Sequence, residues 1–489
     1  MSVDEGTTNR RVASRPATGG RGLGLALLII ATAQLMLVLD DTIVNIALPS
    51  IQRTLHMPAS RLNWVISFYG LTFGGLLLTG GRAGDLFGRL RMFRTGIALF
   101  VLASIVGGFA PNEAMLITAR IVQGSGAALA APSALSLLAT TFPEGPARTK
   151  ALGVYGSMAG LGSVIGLLLG GTLTQYTTWR WVLFINAPIG VAVLVGTFTG
   201  VLVPGAAKRG TLDLPGAVTA TLGIASIIYA LSRGSSDGWT DSGTIAAFAI
   251  GAVLLLAFAV TERLSKEPML PASVIRDRNR SGALMVMLLL GTGMLAMFYL
   301  LTLYMQLVRG YSALHTGLAY LPFVLGVGAA AGGLGPKLLA ALPARTVLAG
   351  AMLINAASMS WYALMLTPTS SYWVAMVPAM LVGGISTGLT FVACTALGMR
   401  GVAQQDSGVA AGLVNTTLQC GGALGLAVIA AVASAVTRNQ LAGHAPPVAL
   451  THGYVAGLLA GAIIYLVAAI AAGFIINVRL NPGELAAAH

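Results

Sequence analysis

The stretch QLMLVLDDTIVNIALP, residues 34–49, places two adjacent acids inside a long apolar run. The run begins at Leu23, and Asp40 and Asp41 lie in its second half. An ionised carboxylate in hydrocarbon costs at least about 2.5 kcal/mol, so apolar segments avoid acids unless they face a polar cavity, a partner or a proton. Asp40 and Asp41 are therefore the first candidate functional residues.

The composition indicates a membrane protein. Of 489 residues, 56% are hydrophobic and 9% are charged, with a mean hydropathy of +0.83. Soluble domains carry about 25% charged residues, so this composition is that of a polytopic membrane protein. Cys394 and Cys420 lie in apolar runs without paired spacing or a neighbouring His, which predicts neither a disulfide framework nor a metal site. We expect no cofactor.

Apolar runs of about 20 residues, the length of a membrane-crossing helix, predict fourteen transmembrane spans in a six, two, six order. The fold class predicted is all-α and polytopic. The predicted spans are 23–48, 62–80, 95–110, 114–141, 150–175, 180–203, 213–233, 241–262, 281–307, 313–338, 344–366, 372–397, 406–436 and 453–478.

The basic residues predict the orientation. An even number of spans places both termini on one side, and most of the 28 Lys and Arg residues then fall in the tails and loops of that side. The positive-inside rule assigns that side to the cytoplasm. This distribution accounts for most of the net charge of +13, so no nucleic-acid partner is expected. We predict a multi-pass cell-membrane protein with cytoplasmic termini, and the excess of Arg over Lys favours a bacterial inner membrane.

The order of the spans predicts two homologous halves with an inserted helix pair. GGRAGDLFGRLRMFRTG (80–96) follows the second span of one half, and GGLGPKLLAALPARTVLAG (332–350) follows that of the other; both open with paired Gly and carry basic residues. Paired helical halves with a site at their interface are a transporter architecture. The predicted domains are a cytoplasmic tail 1–22, a six-helix bundle 23–203, two extra helices with a connector 204–280, a six-helix bundle 281–478 and a tail 479–489.

Helical periodicity separates the two acids. At about 100° per residue, Gln34, Asp41 and Asn45 fall within about 40° of one another, whereas Asp40 points about 100° away. This favours Asp41 as the acid that faces a cavity, with Asp40 at a helix interface or beside a partner.

Arg120, in LITARIVQGSGAA (116–128), lies deep in the fourth span at a depth similar to the acid pair. Burial disfavours an ionised carboxylate and a nearby guanidinium favours it, so movement of Arg120 relative to the acids would switch a proton on and off. We predict that Asp40, Asp41 and Arg120 carry proton coupling. The alternative is a structural salt bridge that never titrates.

The segment from Gly81 to Arg89 has the glycines of a phosphate-binding loop but not its context. It follows a membrane helix rather than a strand and lacks Gly-Lys-Ser/Thr, so ATP binding is not predicted. A basic turn on the inner face, which fixes topology, is the simpler interpretation.

These segments resemble the signature motifs of the major facilitator superfamily, in its fourteen-helix drug:proton antiporter branch, over nearly the whole chain. LDDTIVNIALP (39–49) resembles the first-helix motif, in which Asp40 holds a fixed position and Asp41 a variable one. The resemblance thus favours Asp40 where periodicity favours Asp41, and both acids are retained. Other similar stretches are WRWVLFINAPIG (179–190), YMQLVRGYSALHTG (304–317) and NTTLQCGGALG (415–425).

The resemblance also implies roles for residues between the spans and on helices 4 and 5. Arg120 matches an arginine that the family associates with proton coupling, and it is followed by Gln123, Gly124 and Gly126. Helix 5 resembles the antiporter motif but carries Leu167 where that motif has Pro. Its glycines are expected to let helix 5 approach the other half closely and seal the cavity. The implied gating residues are Gly81, Asp85, Gly88, Arg89, Gly162, Gly166, Gly170 and Gly171.

The function predicted is a secondary exporter in which proton entry drives an amphipathic drug, antibiotic or hydrophobic metabolite outward by alternating access. It is not an enzyme, protons are its coupling ion, and a monomer in contact with membrane lipid and a small amphipathic substrate is expected. An exporter or flippase of lipid or another endogenous amphiphile is the alternative. A non-transporting sensor is less expected, because the short tails and loops show no output domain. The candidate substrate-cavity residues are Gln34, Asn45, Tyr155, Tyr299, Gln306, Asn415 and Gln419.

Overall fold

The computed structural model describes residues 20–58, 61–143, 146–203, 214–236, 238–264, 276–400 and 407–478. The regular structure of these residues is helical. The predicted tails up to residue 19 and from residue 479, and most of the predicted connector, lie outside the described residues.

The described residues up to 264 form nine helices. They are α1 Gly20–Leu55, α2 Trp64–Phe87, α3 Arg89–Gly108, α4 Glu113–Thr141, α5 Pro146–Tyr176, α6 Trp181–Phe184, α7 Asn186–Thr197, α8 Leu214–Ser236 and α9 Ser242–Leu264.

The second part is more often interrupted, with π-helical turns at Tyr304–Val308 and Ala330–Leu334. Its α-helices are α10 Arg278–Leu303, α11 Ala313–Ala319, α12 Leu321–Ala329, α13 Gly335–Ala341, α14 Ala344–Met365, α15 Tyr372–Ala375, α16 Val377–Met399, α17 Ser407–Gln440 and α18 Pro446–Ile475.

Among the described residues, nine helices are long and apolar enough to cross a membrane, or ten if the bent α2 counts as one span. Four shorter apolar helices also coincide with predicted spans; they lie at Val164–Tyr176, Trp181–Thr197, Val218–Leu231 and Ala313–Ala329. A multi-span helical fold is therefore confirmed. The number fourteen stays a prediction.

The expectation of a loop from Gly81 to Arg89 is wrong, because most of this segment is helical. Helix α2 continues through Phe87, and α3 begins at Arg89. Only Gly88 separates the two helices, with φ +95°, which glycine adopts without the steric cost of a side chain. Asp85 spans the break, with its Oδ1 3.0 Å from Arg89 Nη2. The basic turn is a tight helical corner.

The helices pack in two groups. In the first group, α1 lies along α5, and α4 packs against both α2 and α3. In the second group, α10 packs on α17 and α18, α14 on α18, and α12 on α16. Cys394 and Cys420 lie in this second group as buried free thiols.

Helix α8 lies outside both groups and contacts one helix of each. A buried apolar cluster joins Leu71 of α2, Ile228 of α8, and Ala423 and Ala427 of α17. Helix α9 packs on α8. The inserted pair therefore covers the line along which α2 and α17 meet.

Candidate functional site

Asp40 and Arg120 form an ion pair inside the first group. Arg120 Nη1 lies 2.5 Å from Asp40 Oδ2, and both side chains are 0% exposed. Arg120 Nε donates a 3.0 Å hydrogen bond to Val65 O of α2, and the guanidinium lies 4.2 Å from the centre of the Tyr69 ring. The pair thus ties together α1, α2 and α4.

Three uncharged side chains complete this cluster. Asn186 Nδ2 donates to Asp40 Oδ1 at 2.6 Å, and Gln123 Nε2 donates to the same oxygen at 3.1 Å. Gln123 Nε2 also donates to Ser104 Oγ at 2.7 Å, and its Oε1 accepts from Arg120 Nη1 at 3.0 Å. Both carboxylate oxygens are therefore satisfied, as a buried ion pair requires, whereas Arg120 Nη2 has no partner among the described residues. The five residues come from α1, α3, α4 and α7.

A chain break positions Asn186. Helix α6 ends at Phe184 and α7 begins at Asn186, so this residue stands at the first position of a new helix. Arg180, just before α6, fixes the corner by donating to the O atom of Gly108, the last residue of α3, at 3.0 Å and to Ala110 O just beyond it at 2.7 Å. Asn186 lies in a stretch that resembles the family, but the sequence predicted no role for it, and no sequence signal indicated Ser104.

Asp41 lies on a different face of α1 and has a different environment. It is partly exposed, and no hydrogen bond or ion pair joins its side chain to another described residue. On one side of it, Leu37 O accepts a 3.5 Å hydrogen bond from Tyr69 of α2. On the other, Val38 lies against Gly162 of α5. These residues are about 40° and 60° from Asp41 around the helix, so Asp41 projects between α2 and α5, towards the second group.

The polar stripe of Asp41 continues along α1. Gln34 Oε1 accepts a 2.8 Å hydrogen bond from Tyr155 Oη of α5. Asn45 is 3% exposed, and its Oδ1 has no partner among the described residues. The structure therefore brings Gln34 and Tyr155 together, as the prediction of a shared cavity requires.

The remaining cavity candidates are dispersed. Gln306 Nε2 crosses between the groups to donate to Ile46 O at 2.9 Å. Gln419 packs across the same divide, where a Cβ on Gly74 would lie 2.9 Å from its own Cβ. Tyr299 is buried in the core of the second group, and Asn415 is exposed on α17.

The glycines of α5 correct one expectation. Gly162, Gly166 and Gly170 face α1 of the same group: an added Cβ would lie 3.0 Å from Val38, 2.9 Å from Leu39 O and 2.8 Å from Ile43 O, respectively. The expectation that they approach the other half is wrong, because steps of four residues keep them on one side of α5, about 40° apart.

Gly171 is the α5 glycine that meets the second group. A Cβ there would lie 2.7 Å from Leu314 Cα and 2.8 Å from Ala313 O of α11. In the same interface, Gly317 of α11 packs directly on Leu167 O of α5. Leu167, where the antiporter motif carries Pro, is 2% exposed, and α5 remains helical through it.

Comparison with known proteins decides the family. Residues 30–426 match the family described as Major Facilitator Superfamily. The chain belongs to the Major Facilitator Superfamily. Its members are transporters, so this is a multi-span membrane transporter protein and not an enzyme, as the sequence predicted.

Relatives within the superfamily carry names of drug resistance and export. The chain is 40% identical over 467 residues to puromycin resistance protein pur8 of Streptomyces alboniger, covering 94% of this chain and 92% of the relative. It is 39% identical over 428 residues to cephamycin export protein CmcT of Amycolatopsis lactamdurans, covering 86% and 87%. A bacterial homologue of the human lysosomal transporter Spinster, in an inward-facing and unoccupied conformation, shares the fold with a TM-score of 0.67, 14% identity and coverage of 94% and 98%.

In this superfamily member α1 and α5 contact the second group at the end of the bundle opposite Gly20 and Val478, here called the far end. Gln306 with Ile46, and Gly171 with Leu314, lie at this end. Beyond these contacts a polar cleft of about 500 Å³ opens between α1, α5 and the segment joining α10 to α11. These contacts, here called the far-end seal, join α1 and α5 to the second group beside this cleft.

Proposed function

We propose that the protein is a proton-coupled exporter that moves amphipathic drugs, antibiotics or hydrophobic metabolites across the cytoplasmic membrane by alternating access. The observation that carries this proposal is the buried Asp40–Arg120 pair, a charge cluster held by four helices in the interior of the bundle. A relative named for puromycin resistance and one named for cephamycin export support the substrate class and the outward direction.

The cluster suggests how a proton changes the packing of helices. Protonation of Asp40 removes the charge that Arg120 opposes, so the strongest bond between α1 and α4 is lost. Arg120 keeps its bonds to Val65 O and Gln123, so it stays with α2 and α4, while α1 keeps only the weaker hydrogen bonds from Gln123 and Asn186 to Asp40 Oδ1. Asp41, the next residue on α1, projects between α2 and α5 towards the second group, and we assign it as the acid that an incoming proton meets first. Asp40, Asp41 and Arg120 together form the coupling set.

The substrate cavity is proposed to lie between the groups, bounded by the Asp41 stripe and the far-end seal. Gln34 and Tyr155 supply hydrogen-bonding groups from the first group, and Gln306 and Gln419 supply them from the second. Apolar pockets with few polar groups suit amphipathic ligands. The proposed cavity set is completed by Asn45, Tyr299 and Asn415.

Alternating access requires two rigid bodies and a defined orientation. We assign the bodies to residues 23–203 and 281–478, with 204–280 as an added helix pair and connector and both termini in the cytoplasm. The far end is then the outer face, and the seal there describes an outside-closed state. An impermeant thiol reagent added outside cells should leave a cysteine at Lys266, which lies outside the described residues, unlabelled.

Transport in inside-out vesicles tests the function. With the lumen acidified, radiolabelled puromycin should accumulate inside, and its addition should partly collapse the pH gradient. A protonophore should abolish the accumulation, and empty vesicles should show none. Accumulation that persists with the protonophore would contradict proton antiport, whereas protection of the purified protein by lipids alone would favour a lipid exporter. No cofactor is proposed, and the transporter is expected to act as a monomer.

A further inference from the structure

The second group contains a small internal cavity that plays no part in the proposed cycle. It has a volume of about 10 Å³ and is lined by residues of α10, α12, α14, α16 and α18. Three of its polar residues, Asn355, Ser358 and Tyr362, come from α14, and Thr387 comes from α16. A polar lining in the interior of an apolar bundle requires hydrogen-bond partners.

Two polar atoms at this cavity have no protein partner among the described residues. They are Asn355 Nδ2 and Tyr362 Oη, on side chains that are 4% and 0% exposed. The amide oxygen of Asn355 is satisfied, because Thr387 Oγ1 donates to it at 3.3 Å. Leaving the two other atoms unbonded would cost free energy, since both lose their bonds to water on burial.

The helix geometry brings these atoms towards one another. Asn355, Ser358 and Tyr362 recur at intervals of three and four residues, so they share one face of α14. A long helical side chain leans towards the start of its helix, which carries the Tyr362 hydroxyl back towards Ser358 and Asn355. The cavity volume of about 10 Å³ is that of one water-sized sphere.

We propose that this cavity is a binding site for a single water molecule, which accepts a hydrogen bond from Asn355 Nδ2 and bonds to Tyr362 Oη. Ser358 Oγ and Thr387 Oγ1 also line the cavity and complete the two to four polar partners that a buried water takes. Each of the two unpartnered atoms is then satisfied.

The helices around this site correspond in chain order to those around the charge cluster of the first group. The cavity lies among α10, α12, α14, α16 and α18, which belong to the first, second, third, fourth and sixth predicted spans of the second group. The Asp40 cluster, with Tyr69 and Ser104, lies among the helices of the same ranks. The second group thus carries a neutral, water-bonded site where the first carries an ion pair. This difference, which bears on transport only through the proposed function, confines proton-dependent rearrangement to the first group.

The sign of a stability change tests for the water. Tyr362→Phe removes the hydroxyl and keeps the ring. If a water bonds to that hydroxyl, the Tm of the purified protein should fall by about 2 °C. If the cavity is dry, the variant loses an unsatisfied group and the Tm should stay unchanged or rise, which would overturn the proposal. Tyr320→Phe is the matched control, because its hydroxyl bonds to Thr302 Oγ1 and Phe298 O, both at 2.9 Å, and its loss must lower the Tm.

A second variant tests the same cavity from α16, which faces the α14 residues. A Cβ at Gly383 would lie 3.3 Å from Ser358 Oγ and 3.9 Å from Asn355 Oδ1. Gly383→Ala should lower the Tm if it displaces a bound water, and a rise would indicate that it fills a dry void, against the proposal. These measurements do not depend on transport. In vesicles, Tyr362→Phe should keep the wild-type pH profile of export, and a changed profile would overturn only the confinement to the first group.

Discussion

Asp40 and Asp41 are consecutive residues of α1, yet Arg120 Nη1 lies 2.5 Å from a carboxylate oxygen of Asp40 and forms no ion pair with Asp41. One acid is enclosed by α2, α4 and α7, and the other projects towards the second group. Only one of the two adjacent carboxylates is therefore paired directly with the guanidinium, which makes their contributions separable by mutation.

Removing Arg120 should destabilise the fold strongly. Arg120→Leu leaves Asp40 fully buried without its counter-charge, and we expect a loss of about 3–5 kcal/mol in the free energy of unfolding. Denaturant unfolding of purified protein in detergent measures it. Arg61→Leu is the control, because the Arg61–Glu113 pair has 47% and 28% of its side chains exposed and should cost about 0–1 kcal/mol. Equal losses in the two variants would contradict this prediction, because breaking the buried pair would then cost no more than breaking an exposed one.

The two acids should differ in transport. Asp40→Asn keeps the shape of the side chain but removes the proton site at the ion pair, so proton-driven export should be abolished while substrate binding remains measurable. Asp41→Asn should reduce export less, because its side chain forms no direct ion pair with Arg120. Export assays in acidified vesicles, with binding measured by thermal shift, compare them. Near-wild-type export by both variants would be incompatible with proton coupling through this pair.

Opening of the far-end seal should respond to Gly317. A side chain at this position meets Leu167 O of α5, so Gly317→Ala should push the groups apart and favour the outside-open state. A cysteine replacing Asn45, which is 3% exposed beneath the seal, should then react several-fold faster with an impermeant thiol reagent on intact cells.

The control for this seal variant is Gly328→Ala on α12, where no atom lies within 4 Å of the added Cβ. Its labelling rate should equal that of the parent protein carrying the cysteine alone. Equal rates for Gly317→Ala and Gly328→Ala would mean that the α5–α11 contact does not hold the outer face closed.

Helix α8 should stay with α2 during the cycle. Its contact with α2 includes the Trp64 and Tyr229 rings, 5.9 Å apart, whereas α17 offers it the small side chains of Ala423 and Ala427. Alternating access separates α2 from α17, so α8 cannot keep both contacts. A disulfide between cysteines at Ile228 and Leu71 should leave export intact, and one between Ile228 and Ala423 should block it until it is reduced. The reverse pattern would assign α8 to α17.

Hydrophobicity and local motifs were sufficient to predict the membrane class, the helical fold and the family. Apolar run length alone locates most spans, because a helix must satisfy its own backbone in hydrocarbon. The cost of burying charge singled out Asp40, Asp41 and Arg120, and equal depth predicted that an acid and Arg120 meet. Those inferences require only the sequence and the bilayer.

Which acid meets Arg120 was decided by the tertiary structure, as were the parts played by Asn186 and Ser104 and the packing of three α5 glycines on α1. The physical reason is that the lipid-facing and protein-facing sides of a membrane helix are both apolar, so periodicity does not fix how a helix is rotated about its axis. That rotation depends on close packing between segments distant in the chain, such as α1 with α4 and α7, which no local pattern records.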